Sequence, residues 1–253
     1  MMQQLLPIAN KAAIEAGKAI LNIYESNSFD TQKKADKSPV TAADKAAHTI
    51  ITDYLLQTNF PVLSEEGSHQ DFQTRSQWEY YWLVDPLDGT KEFIHKNGEF
   101  TVNIAFMHRN KPLAGVVYAP VLGDLYYGSA ETGVYKNDQE IPKLSARRTL
   151  EELLLKPSIT IVASRSHLSD ETKAFISRFS NVTLTSMGSS LKFMLLLEGK
   201  ADLYPRLFPT MEWDTAAAHA ILNASNRGVY HTNVKEELTY NKPELVNPYF
   251  LSY

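Results

Sequence analysis

The stretch from Tyr80 to Thr90, Tyr-Tyr-Trp-Leu-Val-Asp-Pro-Leu-Asp-Gly-Thr, limits what this chain can fold into more than any other. Its first half is aromatic and branched, the composition of a buried strand, and Pro86 predicts an end to ladder pairing because proline has no N–H to give. The chain is then expected to turn. Asp85 and Asp88 stand three apart across that turn, Gly89 allows close backbone approach, and Thr90 adds a hydroxyl. Two carboxylates with the Leu87 carbonyl between them make an oxygen donor set suited to a hard cation such as Mg²⁺. Asp-Pro and Asp-Gly are also ordinary turn formers, so on these residues alone a plain turn and a cation site stand level.

Spacing removes two other readings. A calcium EF-hand loop needs carboxylates at alternate positions and a glutamate at its twelfth, where this chain has Lys96. An aspartyl-phosphate mechanism would use carboxylates two apart, one attacking and one donating a proton, a spacing absent here. A metal-activated water is the remaining chemistry. No cysteine is present, which excludes disulfides, thiolate metal sites and cysteine nucleophiles. A net charge of −4 argues against binding a nucleic-acid polymer. With 43% hydrophobic and 21% charged residues and no apolar run of membrane-spanning length, the 253 residues read as a cytosolic globular protein.

Two helices are expected first. Leu5, Ile8, Ala12, Ala16, Ala19 and Ile23 recur every three or four residues within Met1 to Tyr24, and Thr41 to Asp44 resembles a capping box opening a second helix through Tyr54. Locally, Asp44 reads as that cap. Glu25 to Pro39 reads as a solvated polar loop carrying Lys33, Lys34 and Lys37. Pro61 to Ser64 predicts a short strand. Thr101 to His108, Leu113 to Tyr118, Asp124 to Gly128 and Gly133 to Tyr135 predict an antiparallel meander, with Asn137-Asp138 as a hairpin signal. From about Ser158 the pattern changes to strand, helix, strand, helix: Ile159 to Ala163, Asp170 to Phe179, Val182 to Ser186, Ser190 to Leu197. A strand Ala201 to Tyr204 and an alanine-rich helix Asp214 to Leu222 follow, with short strands near Val229 and Phe250. The expected division is a domain of residues 1–150 with an antiparallel sheet and one of 151–253 of α/β type.

Three separated segments together resemble the inositol monophosphatase superfamily: Ser64-Glu65-Glu66-Gly67, Trp82 to Thr90, and Glu212-Trp213-Asp214-Thr215-Ala216-Ala217. Lys91-Glu92-Phe93-Ile94, Asn97 to Asn103, Ser164-Arg165-Ser166-His167 and Gly188-Ser189-Ser190-Leu191-Lys192-Phe193 are similar to the CysQ-type 3'(2'),5'-bisphosphate nucleotidases within it. The resemblance spans essentially the whole chain and implies an α/β (α+β) fold, a layered α/β/α/β/α sandwich. It implies metal ligands at Glu65, Asp85, the Leu87 carbonyl, Asp88 and Asp214, holding two or three Mg²⁺ ions. It assigns Asp44 and Thr90, with Glu65, to orienting the attacking water. Substrate would meet Asp85, Leu87, Asp88, Gly89, Thr90 and Asp214, with His167, Ser189, Lys192 and Arg206 reaching the nucleotide and its 5'-phosphate, helped by free N–H groups near Ser190.

The implied activity is a Mg²⁺-dependent phosphoric monoester hydrolase that converts adenosine 3',5'-bisphosphate to AMP and phosphate. Two rivals share the fold: an inositol monophosphatase, for which Lys192 and His167 would have no second anion to hold, and a noncatalytic metabolite-binding module. The resemblance also admits peripheral attachment to the cytoplasmic face of the inner membrane, and it leaves monomer and homodimer open.

Overall fold

The computed structural model describes residues 1–26, 31–33, 39–163, 169–233 and 236–253. The helix Met2–Glu25 buries Leu5, Leu6, Ala9, Ala12, Ala13, Ala16 and Ile20, a stripe at helical spacing. It lies along the helix Ala42–Leu56, and the small residues between them let the two axes approach closely. Between these helices, Thr31–Lys33 pairs antiparallel with Pro39–Thr41, so a ribbon occupies part of the expected loop. Lys34 and Lys37 lie outside the described residues.

The helix pair covers one face of a seven-stranded sheet. Its strands, in spatial and sequence order, are Val62–Ser64, Tyr80–Asp88, Thr101–His108, Lys111–Ala119, Asp124–Ser129, Gly133–Lys136 and Gln139–Glu140. Only the first pair is parallel; the rest form the expected meander. Asn137 and Asp138 both take positive φ, 48° and 63°, as a two-residue hairpin connection requires. Side chains alternate across the sheet: Val102, Ile104 and Phe106 join the core under the helix pair, while Ala105 and Met107 join the core on the other face.

That second face is covered by Leu191–Leu197 and Ala216–Ala224. The approach is so close that a Cβ on Gly115 would stand 2.0 Å from the Ala217 carbonyl oxygen, which explains the glycine and the alanine run together. Beyond these helices lies a second set of strands. Ile159–Val162 pairs parallel with Val182–Thr185, and a bridge from Ile161 to Leu203 joins this pair to Tyr204–Arg206, Phe250–Ser252 and Val229–His231. Val162, Tyr204 and Phe250 face the middle helices. Ile159, Ile161 and Leu251 face outward to Leu150–Leu154 and Asp170–Ile176. The order is helices, sheet, helices, sheet, helices. The core between the large sheet and the middle helices draws on residues from Leu63 to Phe250, so both halves of the chain build it.

Two local expectations are corrected. Pro86 does not end its strand: pairing continues to Asp88, with Asp85 opposite Asn103, Asp88 opposite Thr101, and a bulge between them. The bulge absorbs the missing N–H and bends the strand where its carboxylates lie. Asp214 does not begin the alanine-rich helix either; it closes a 3₁₀ turn, Glu212–Asp214, and the α-helix starts at Ala216. Differences of length also occur, since the helix from Asp170 ends at Ile176 and the strand expected over 201–204 runs Tyr204–Arg206, and the short helices Phe72–Arg75, Thr90–Ile94 and Leu150–Leu154 are additional to those expected. No helix among the described residues is long and apolar enough to cross a membrane.

Candidate active site

Asp85, Asp88 and Asp214 converge, each offering an oxygen within 4.8 Å of the others. The strand bulge delivers the first two and the 3₁₀ turn the third. One oxygen of each is tied by a donor from the protein. Leu87 N–H donates to Asp85 Oδ1 at 3.1 Å, Met211 N–H to Asp214 Oδ2 at 2.8 Å, and Ser190 N–H to Asp88 Oδ2 at 2.7 Å. These bonds fix the carboxylates in place.

Gathering acids here is electrostatically costly. Burial, then the charges of Glu65, Asp88, Asp214 and Asp44, push the Asp85 carboxyl well above the usual carboxylate range. Burial and Asp88 do the same to Asp214, against the Met211 amide and Arg206, which pull it down. All the donors are oxygen, and a hard divalent cation would offset the repulsion, so the site fits one. Glu65 and Asp44 flank it. Glu65 follows directly on the strand Val62–Ser64, and Asp44 is buried in the first turn of its helix.

Thr90 opens the short helix Thr90–Ile94, its hydroxyl donating to the Leu87 carbonyl at 3.5 Å, a bond at the outer limit of length. Gly89 holds φ at +90°, and a Cβ there would crowd Ser189 at 3.2 Å, so glycine is needed for both reasons. Aromatic contacts of Tyr24, Phe93 and Phe100 anchor the short helix from behind.

Beside the aspartates opens a cavity of about 100 Å³. Asp88, Ser189, Ser190, Lys192, Arg206 and Asp214 line it, with Phe193, Tyr204 and Phe250 as its apolar wall. It is far below the roughly 300–1,000 Å³ that encloses a drug-sized ligand, so it suits one charged end of a substrate. Lys192 Nζ donates to the Ser189 carbonyl at 2.9 Å, and burial lowers its pKa while the Asp88 charge opposes that shift. Arg206 Nε is buried and finds no hydrogen-bond partner among the described residues. Two cations thus line one cleft with the Asp88 and Asp214 carboxylates, and Asp85 lies buried beside them.

The structure therefore brings together Asp85, Asp88, Asp214, Ser189, Lys192 and Arg206, with Gly89 and Thr90 adjoining. His167 lies outside the described residues. The amide of Ser190, expected to be free for a ligand, is instead spent on Asp88, and the helix behind it has only seven residues. Ser189 Oγ likewise donates to Asp88 Oδ2, at 2.6 Å. Thr101, Asn103 and Thr215 stand within the segments that carry the resemblance, but their sequence context assigns them no role in the site. The first two left a signal: buried polar residues two apart on one face of a strand that is otherwise apolar.

Residues 1–249 match the inositol monophosphatase family. The chain belongs to that family. It is 46% identical over 254 residues to the 3'(2'),5'-bisphosphate nucleotidase CysQ of Shigella flexneri, covering 99% of this chain and 98% of that relative. The crystal structure of CysQ from Bacteroides thetaiotaomicron superposes with a TM-score of 0.85 at 44% identity, covering 100% of this chain and 97% of that one. SaIMPase-II bound to 2'AMP superposes with a TM-score of 0.77 at 26% identity, covering 98% and 89%. An inositol monophosphatase fold thus carries both halves of the cleft described above: Asp85 and Asp88 at the end of a strand of the large sheet with Asp214 from the 3₁₀ turn, and the cations on the elements that face them.

Proposed function

We propose that this chain is a 3'(2'),5'-bisphosphate nucleotidase, hydrolysing adenosine 3',5'-bisphosphate to AMP and phosphate in the cytosol. The observation that carries the reading is that one small cavity is lined by Lys192 and Arg206 together with Asp88 and Asp214, two of the three converging aspartates. A substrate with a single phosphate needs only the acidic side, through its cations. A second phosphate needs positive charge a few ångströms away, and Lys192 with the unpartnered Arg206 Nε supplies it. The full-length likeness to CysQ supports the same substrate class.

Asp85, Asp88 and Asp214, with Glu65 and the Leu87 carbonyl, would hold two or three Mg²⁺ ions. Bound there, they would make a water more acidic and offset negative charge on the leaving ester oxygen. The chain's own residues set direction. Asp44 would accept the Thr90 hydroxyl proton, in exchange for its long bond to Leu87, which leaves the Thr90 oxygen to accept from the water. Glu65 would hold the same water from the other side. Residues 1–150 would supply most of the acidic focus, and 151–253 Asp214 and the second-phosphate pocket.

The test is phosphate release from the nucleotide with and without Mg²⁺. Wild type should turn over only with the cation, and Asp88→Asn and Thr90→Ala should each lose activity by about a hundredfold or more while remaining folded. Tight nucleotide binding by wild type with no turnover would instead identify a binding module.

A further inference from the structure

Asp88 differs from the other two aspartates in what holds it. Asp85 and Asp214 take their donors from their own local turns, whereas Asp88 Oδ2 takes three from elsewhere: Ser189 Oγ at 2.6 Å, Ser190 N at 2.7 Å and Asn103 Nδ2 at 3.5 Å. Behind them stands Thr101, fully buried, 2.5 Å from Ser189 Oγ, 2.7 Å from Ser190 Oγ and 3.1 Å from Asn103 Oδ1. Ser190 Oγ also lies 2.7 Å from Asn103 Oδ1.

Counting protons gives this cluster a direction. A carboxylate only accepts, so the single hydroxyl proton of Ser189 goes to Asp88. At 2.5 Å the proton between Ser189 and Thr101 must then come from Thr101. The proton of Ser190 goes to Asn103 Oδ1 or to Thr101, and the Asn103 amide turns its N–H toward Asp88. The hydroxyls of Ser189 and Thr101 thus point, directly and through one neighbour, at a single carboxylate oxygen. Ser189 accepts a left-handed conformation, φ 52°, in adopting this arrangement, and Gly188 N–H is pinned from the same side by Glu99 Oε2 at 2.7 Å.

We infer that Thr101 is a positioning residue for the metal site: through Ser189 it fixes Asp88 Oδ2 from behind, so that the carboxylate presents its other oxygen to the cation in one orientation. The inference rests on the metal site proposed above. It also ties two binding events together, because the same Ser189 whose hydroxyl holds Asp88 gives its carbonyl to Lys192 in the second-phosphate pocket. A valine at 101 fills the same volume and cannot donate. Ser189 Oγ would then have no donor behind it, and one of the three groups that hold Asp88 Oδ2 would lose its own anchor.

The experiment is a titration of the substrate-free protein with Mn²⁺, read by the loss of free-ion electron paramagnetic resonance signal, for wild type, Thr101→Val, Thr101→Ser and Ser189→Ala. Thr101→Val is expected to weaken binding by about tenfold or more, the range for residues that orient a metal ligand. Thr101→Ser, which keeps the hydroxyl, should bind as wild type does; a purely steric role for the threonine would make serine the worse substitute of the two. Ser189→Ala should reproduce the loss and stands in if the buried valine variant does not fold. Wild-type Mn²⁺ affinity in folded Thr101→Val, or in Ser189→Ala, overturns the inference while leaving the metal site intact. Absence of Mn²⁺ binding by wild type overturns the metal site itself.

Discussion

Replacing Lys192 with methionine keeps the apolar stem and removes the charge. Two unit charges about 4 Å apart attract by about 4 kcal/mol at the effective dielectric of about 20 that suits such sites. Lys192 is half-buried, and burial lowers its pKa, so part of the cost of drying the ammonium is met before a phosphate arrives. Arg206 remains and takes up part of the loss. The net effect on the bisphosphate nucleotide is then about 2–3 kcal/mol, or about 30- to 150-fold in kcat/KM. The substitution also removes the Nζ bond to the Ser189 carbonyl, and that loss falls on every substrate alike. The decisive quantity is therefore a ratio: kcat/KM for adenosine 3',5'-bisphosphate against adenosine 3'-monophosphate, by phosphate release. The ratio should collapse in Lys192→Met. An equal drop on both substrates would mean that Lys192 serves the loop and not the second phosphate.

Two further outcomes concern stability and rest on carboxylates elsewhere in the chain. Glu212 is fully buried and accepts from the amides of Asn241 and Lys242, at 2.6 and 3.1 Å, as well as from the Lys242 ammonium; Glu212→Gln should cost about 2–3 kcal/mol and lower the melting temperature by several degrees, measured by calorimetry. Glu237 is held down to about 2 by His219, whose Nε2 lies 3.5 Å from Oε2, and by the hydrogen bond from Arg147, against its burial. Its contribution is therefore fully present above about pH 4.5 and is lost as pH falls toward 2, so Glu237→Gln should flatten that part of the acid-unfolding curve; an unchanged curve would show the pair to be idle.

Most of the fold was legible because its signals are periodic. The stripe from Leu5 to Ile20 and the alternation from Val102 to Phe106 each survive in the structure, since each reflects a face that must be buried. Pro86 was misread because the missing N–H was counted and the bulge that accommodates it was not. Asp214 was placed at a helix start because the alanine run hides the 3₁₀ turn before it. At the site, the acidic residues could be named from motif and order. What no local pattern contained is the traffic between distant segments: Asp88 is held by Ser189 and Ser190, about a hundred positions away, and Thr101 is drawn into the same network only when the two halves close.

The central claim, that a metal-dependent phosphatase site here is built for a substrate with two phosphates, is met most directly by one comparison. Purified protein with Mg²⁺ is given adenosine 3',5'-bisphosphate and inositol 1-phosphate at equal low concentrations, and phosphate release is followed. A rate on the nucleotide at least about tenfold higher is the expected result, since the second phosphate meets two cations that the inositol ester leaves unused. Equal rates, or a preference for the inositol ester, would contradict it.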